Sequence, residues 1–154
     1  FIFKIESILR VFPDARFVFL VRDPLETIPS YFSLQENVKF GNLLSNKELK
    51  LLRKETYSEI IEWYKETEKV KSKLYKKQFI VFTYKQITED LENSIKSFYK
   101  FINKKMTKKF EKEVSRFSNK KYVKKHQNKS IADYGFTKKQ ILNDFDFVYQ
   151  EYFT

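Results

Sequence analysis

The chain has 154 residues, of which 42% are hydrophobic and 18% aromatic, and its formal net charge is +11. This composition predicts a globular domain with a substantial core and excludes an intrinsically disordered segment. The lack of cysteine excludes disulfides, thiolate metal ligands and a cysteine nucleophile, and a single histidine excludes a multi-histidine metal site. The apolar runs are all shorter than a membrane span.

Positive charge is concentrated in residues 69–129, which hold nineteen Lys and Arg against five Asp and Glu. Such a segment suits an anionic partner: a nucleic acid, a membrane surface or a polyanionic small molecule. A chain rich in Lys, Asn, Ile and Tyr and poor in Gly and Pro is also typical of an AT-rich genome, where lysine fills solvated surfaces. We assign most of these lysines to that second interpretation.

Two further features concern the start of the chain and its glycines. The chain begins at Phe1 and its only methionine is Met106, so we expect it to be processed or to be part of a longer protein. The two glycines, Gly41 and Gly135, cannot build a phosphate-binding loop of the G-x-x-x-x-G-K-[ST] kind.

The beginning of the chain alternates helix and strand. Apolar residues at helical spacing predict a helix over 2–11, and a continuous apolar run predicts a fully buried strand over 17–21. A helical period resumes over 25–35. Pro24 suits the first turn of that helix, and Pro29 is either tolerated near its start or kinks it.

The middle of the chain predicts a second strand between helices. Ser45 and Glu48 form a capping box that opens a long helix. Residues 79–82 form a short apolar run that predicts a buried strand, and Thr88 can cap the helix that follows. Two buried strands joined by a helix imply a crossover and a parallel sheet. Because two strands alone make a poor sheet, we expect more strands upstream of residue 1.

The C-terminal third predicts helices around a polar loop. A helix is expected over 107–117, and a lysine-rich segment without periodicity, 119–134, is expected to be a loop. A second capping box begins at Thr137 and opens a last helix. The apolar face of that helix runs from Ile141 to Tyr149.

Arg22 directly follows the first predicted strand, at the carboxyl edge where parallel sheets bind ligands. The helix that comes next is expected to point free N–H groups at the same place, which favours an anion. A guanidinium binds phosphate oxygens in bidentate fashion, and Ser30 adds a hydroxyl roughly two helical turns further on. In the competing interpretation, Arg22 pairs with Asp23 or Glu26, and Ser30 is an ordinary helical serine.

The stretch FPDARFVFLVRDPLETIPSYFSL closely resembles the 3′-phosphate-binding segment of the PAPS-dependent sulfotransferases, where PAPS is 3′-phosphoadenosine 5′-phosphosulfate. The family pattern is F-P-x-A-[RK], an apolar strand, R-[DN]-P and a serine eight positions after the arginine. The resemblance implies that Arg22 and Ser30 bind the 3′-phosphate of PAPS. Asp23 then fixes the turn or holds Arg22 in place.

Two later stretches resemble the same family more faintly. FIVFTYKQITEDLENSIKSFYKFI resembles a segment in which a strand ends in tyrosine, which implies that Tyr84 packs near the adenine; the alternative is that it only fills the core. The tail HQNKSIADYGFTKKQILNDFDFVYQEYF resembles the end of bacterial-type domains, whose polar loop helps to close over the nucleotide. His126 is expected to be structural or solvated. The candidate lysines for that closure are Lys120, Lys121, Lys124 and Lys125.

The resemblance implies a P-loop-like, three-layer α/β fold with a central parallel sheet flanked by helices, of which residues 1–154 are the C-terminal portion of a single domain. It also implies sulfuryl transfer from PAPS to a hydroxyl or amine on a small molecule or glycan, with no metal, nucleic acid or membrane span. In the family, the loop for the 5′-phosphosulfate and the catalytic base lie upstream of this segment, so we expect the chain alone to be inactive.

Two other functions stay open from the sequence. One is a basic nucleic-acid-binding module, since lysines and aromatics are abundant, although no recognised motif is present. The other is a relative of nucleotide kinases, which share a similar fold. The sequence upstream of Phe1 discriminates a sulfotransferase from a nucleotide kinase, because the two families carry different phosphate-binding loops there. The composition slightly favours the cytoplasm, and the oligomeric state is not predicted.

Overall fold

The computed structural model describes residues 2–36, 43–119 and 128–153. The chain divides into two compact units, residues 1–22 with 70–125 and residues 23–69 with 126–154. The helices and strands of the described residues are α1 (Ile5–Val11), β1 (Phe17–Val21), α2 (Pro24–Leu34), α3 (Asn46–Lys73), β2 (Phe79–Thr83), α4 (Tyr84–Glu89), α5 (Leu91–Phe101), α6 (Lys108–Ser118), α7 (Lys138–Asp144) and α8 (Asp146–Tyr152), with 3₁₀ turns at Ile2–Lys4, Lys76–Gln78 and Ile131–Tyr134.

The first unit contains the sheet, in which β1 and β2 pair in parallel. Phe17 lies opposite Phe79, and Val21 lies opposite Thr83. One face of the sheet packs on a core formed by Ile5, Phe19 and Val70, which contact partly buried apolar side chains of both strands. The predicted strands and their parallel arrangement are therefore confirmed.

The prediction that β1 is buried on both faces is wrong for the described part of the chain. Phe19 and Val21 are buried, but Val18 is 43% exposed and Leu20 is 68% exposed. Side chains alternate between the two faces of a strand. The face of β1 that carries Val18 and Leu20 is therefore open to solvent among the described residues.

The connection after β2 is tighter than predicted, because the strand runs directly into a helix. The side chain of Thr83 caps α4 and forms a reciprocal capping box with Gln86. Asp90 caps α5 in turn. Thr88, which was predicted to be a cap, lies inside α4, where its hydroxyl donates to the carbonyl oxygen of Tyr84 at 3.0 Å. A threonine four residues into a helix bonds back to that turn and cannot start a new helix.

The second unit is helical and has an apolar core contributed by α2, α3, α7 and α8. Aromatic side chains interlock within it, with the rings of Tyr57 and Phe136 stacked at 4.5 Å between centroids and those of Phe32 and Tyr134 at 5.1 Å. Gly135 adopts a φ of 85° at the end of the 3₁₀ turn, a left-handed conformation that glycine tolerates. The most buried core side chains are Ile28, Phe32, Ile60, Ile141, Phe145 and Val148.

The helix that follows the Arg-Asp-Pro segment begins as predicted. Pro24 is its first residue, and Pro29 lies inside α2 without ending it. The capping box that opens α3 is also present, because the Ser45 N–H donates to the Glu48 carboxylate at 2.8 Å and the Ser45 hydroxyl accepts from the Glu48 N–H at 3.4 Å.

The C-terminal region differs from its prediction in two places. The expected last helix is broken at Phe145 into α7 and α8. The expected polar loop over 119–134 ends in a 3₁₀ turn, in which Tyr134 is buried against Phe32. The candidate lysines of this loop and His126 lie outside the described residues.

Ile141→Ala should lower the free energy of unfolding by about 2–5 kcal/mol, because Ile141 is fully buried in the core of the second unit. Leu142→Ala is the matched control, since Leu142 is the next residue of α7 and is 39% exposed. Urea denaturation measures both. Equal losses for the two variants would contradict the described packing of α7.

Candidate functional site

Arg22 and Tyr84 meet at the carboxyl edge of the sheet in the first unit. Arg22 follows the last residue of β1, and Tyr84 follows the last residue of β2. Because Val21 and Thr83 are paired across the sheet, the two residues that follow them emerge side by side. The guanidinium carbon of Arg22 lies 4.8 Å from the centroid of the Tyr84 ring, within the range of a cation–π contact.

This contact places an arginine at the edge of a parallel sheet where such folds bind ligands. Both side chains are half-buried. Tyr84 is the first residue of α4, so the contact joins Arg22 to the start of that helix. The arrangement presents a cation and an aromatic surface together, which is the chemistry that a phosphorylated nucleoside requires.

Ser30 belongs to the second unit, where it lies half-buried on α2. Its neighbours in the helix, Ile28 and Pro29, are buried in the core of that unit. α2 continues through Pro29, so Ser30 lies within the helix. Its convergence with Arg22 on one phosphate stays a prediction.

The N-terminus of α2 is occupied by hydrogen bonds of the chain itself. The Asp23 carboxylate accepts the Leu25 N–H at 2.8 Å. The Asp23 carbonyl oxygen accepts the N–H groups of Glu26 and Thr27, each at 2.9 Å. Pro24 has no N–H. The expectation of free N–H groups for an anion at this helix is therefore wrong, because the cap and the proline account for the whole first turn.

Asp23 also receives a hydrogen bond from the last helix of the chain. The Tyr149 hydroxyl donates to Asp23 Oδ1 at 2.6 Å, and the same oxygen accepts the Leu25 N–H. Burial raises the pKa of Tyr149 above its ordinary value, and the hydrogen bond to Asp23 raises it further. The sequence signals Tyr149 only as part of an apolar helix face, since the two partners lie 126 positions apart.

A second tyrosine–carboxylate pair lies in the same unit. The Tyr57 hydroxyl donates to Asp144 Oδ2 at 2.8 Å. Tyr57 is 5% exposed, and its burial raises the pKa of its hydroxyl above the ordinary value, with Asp144 contributing in the same direction. This pair links α3 to the end of α7.

Two other features of the described residues bear on binding, namely metal-ligating side chains and a surface depression. They contain no group of three or more His, Cys, Asp or Glu side chains placed to hold a metal ion. A surface depression of about 340 Å³ in the first unit is lined by residues that include Arg16 and Gln78. These residues precede the two strands, so the depression lies at the edge opposite Arg22. None of the described helices is both long and apolar enough to cross a membrane.

Comparison with known proteins identifies the family. The profile of the Sulfotransferase family matches residues 1–108. The chain belongs to the sulfotransferase family. The matched segment includes Arg22, Ser30 and Tyr84. A search of curated proteins gave no match.

The fold agrees with that assignment. The chain is similar to the crystal structure of sulfotransferase STF9 from Mycobacterium avium, with a TM-score of 0.77 and 19% sequence identity. The match covers 99% of this chain and 40% of the other, so this chain spans less than half the length of that structure. The small parallel sheet with its helices is thus part of a P-loop-like α/β fold, as the sequence predicted.

Raising the pH above about 10 should lower the free energy of unfolding of this chain. Tyr57 keeps its proton in the folded state, because its pKa is raised, whereas an unfolded tyrosine ionises near its ordinary pKa of 10.0. The folded state then binds more protons than the unfolded state, so stability falls by up to about 1.4 kcal/mol per pH unit for this residue. Urea denaturation between pH 8 and 11 should show a shallower fall for Tyr57→Phe. Identical slopes would contradict the described pair.

Proposed function

We propose that this chain supplies the 3′-phosphate and adenosine side of the PAPS site in a sulfotransferase. The observation that carries the proposal is the contact of Arg22 with Tyr84 at the carboxyl edge of the parallel sheet. Family membership supports sulfuryl transfer in general, and the spacing of Arg22 and Ser30 supports recognition of the 3′-phosphate in particular.

Each residue has a distinct role in the proposed site. The Arg22 guanidinium donates two hydrogen bonds to the 3′-phosphate, and the Ser30 hydroxyl donates another. A charge-assisted hydrogen bond of this kind contributes about 1.5–3 kcal/mol. Tyr84 provides an aromatic face next to the adenosine. Because Asp23 and Pro24 leave no N–H group for the ligand at the start of α2, these side chains carry the recognition.

When bound, PAPS supplies the sulfuryl group that passes in line to a hydroxyl or amine of the acceptor. The chain's own residues hold the nucleotide at its 3′ end. We assign no catalytic base to this chain, because by the family pattern both the base and the 5′-phosphosulfate loop lie upstream of the Arg-Asp-Pro strand. The acceptor is proposed to be a small molecule or a glycan.

The test is calorimetric titration of the full-length protein with 3′,5′-ADP and with 5′-AMP at one stated salt concentration. Arg22→Ala should weaken binding of 3′,5′-ADP by roughly 10- to 150-fold, which corresponds to the loss of about 1.5–3 kcal/mol. Ser30→Ala should weaken it by about tenfold. Neither change should much affect 5′-AMP, because 5′-AMP lacks the 3′-phosphate.

Arg10→Ala is the matched control, because Arg10 is an exposed arginine on α1 in the same unit as Arg22. It should bind both nucleotides as the wild type does. If Arg22→Ala keeps the wild-type preference for 3′,5′-ADP over 5′-AMP, Arg22 does not recognise the 3′-phosphate and the proposal fails.

A further inference from the structure

We propose that Tyr149 is a positioning residue for the phosphate site: its hydroxyl holds Asp23 as the N-cap of α2 and thereby fixes the helix that carries Ser30. This inference rests on the proposed function, because the position of Ser30 matters for binding only if its hydroxyl contacts the phosphate.

Three residues meet at one carboxylate oxygen of Asp23, and we call this group, Asp23, Leu25 and Tyr149, the α2 clamp. Asp23 Oδ1 accepts both the Tyr149 hydroxyl at 2.6 Å and the Leu25 N–H at 2.8 Å. The cap therefore has a partner on each side of its carboxylate oxygen, one from α2 and one from α8.

The start of α2 lacks one hydrogen bond that an ordinary helix makes. Pro24 has no N–H at the first position, where the loss is small. Pro29 has none either, so the Leu25 carbonyl oxygen lacks the usual N–H partner four residues ahead. An aspartate cap contributes typically about 1 kcal/mol to a helix. In α2 that cap stabilises a helix start in which Pro29 leaves the Leu25 carbonyl oxygen without its usual helical partner.

The donor of the clamp is itself firmly placed. Tyr149 follows Val148, which is 1% exposed, and α8 begins after the fully buried Phe145. The Tyr149 ring also contacts Phe153, with 5.8 Å between centroids. A hydroxyl on such an anchored helix restricts the Asp23 side chain to the rotamer that caps α2.

The clamp complements the core contacts of α2. Ile28 and Phe32 are buried and hold the middle of the helix, whereas the clamp holds its start. Two points of attachment fix the direction of a helix axis, and one does not. Ser30 lies beyond the clamp, between Ile28 and Phe32, so the direction of its hydroxyl depends on the clamp and on the core contacts.

Hydrogen exchange of the Leu25 amide in the ligand-free protein tests the clamp independently of any ligand. Tyr149→Phe and Asp23→Ala should both speed exchange at Leu25, because each removes a partner from the clamp. Asp23→Asn should keep protection, since an asparagine oxygen accepts the same two bonds and caps equally well. Tyr57→Phe is the matched control, because it removes a tyrosine–carboxylate bond of the same kind from the same unit.

Titration with 3′,5′-ADP then tests the consequence for binding. Tyr149→Phe and Asp23→Ala should lower affinity about five- to tenfold, the equivalent of roughly one hydrogen bond. Asp23→Asn and Tyr57→Phe should bind as the wild type does. A structural role alone would weaken binding equally in Tyr57→Phe and Tyr149→Phe.

The outcomes separate this inference from the proposed function. Unchanged exchange at Leu25 in Tyr149→Phe overturns the clamp, and faster exchange with unchanged affinity overturns its positioning role. If the wild type does not bind 3′,5′-ADP, the proposed function fails and the positioning role fails with it, while the exchange data still report whether the clamp exists.

Discussion

The parallel pairing of β1 with β2 is the constraint on which the proposed site depends. The register that sets Val21 opposite Thr83 delivers the next residue of each strand, Arg22 and Tyr84, to the same edge. A slip of one residue would exchange the faces of every side chain in the shifted strand and separate the cation from the ring. The backbone pairing therefore brings Arg22 and Tyr84 together, and their 4.8 Å contact results from it.

Asp23 shapes the site because it accepts the N–H groups in the first turn of α2, which are then not available to a ligand. A helix start with free N–H groups would bind any anion, whatever its shape. With the first turn satisfied by Asp23 and Pro24, the binding of an anion falls to side chains, which select by geometry as well as by charge. The Tyr149 hydroxyl donates to the same aspartate, so α8 stabilises a helix start near the beginning of the chain.

The features that could be predicted from the sequence are those encoded within a few residues. The strand at 17–21, the capping box at Ser45 and the Arg-Asp-Pro segment all depend on local pattern, and the structure contains each of them. The cap after β2 was mispredicted because the strand runs directly into α4, which Thr83 caps, so that Asp90 and not Thr88 caps α5. The Tyr149 contact and the open face of β1 depend on tertiary packing, which no local pattern encodes.

A crystal structure of the full-length protein with 3′,5′-ADP tests the central claim most directly. The account predicts that the 3′-phosphate lies within hydrogen-bonding distance, about 2.7–3.2 Å, of both the Arg22 guanidinium and the Ser30 hydroxyl, with Tyr84 beside the adenosine. A 3′-phosphate bound at another edge of the sheet, or bound by Arg22 with Ser30 turned away from it, would contradict the account.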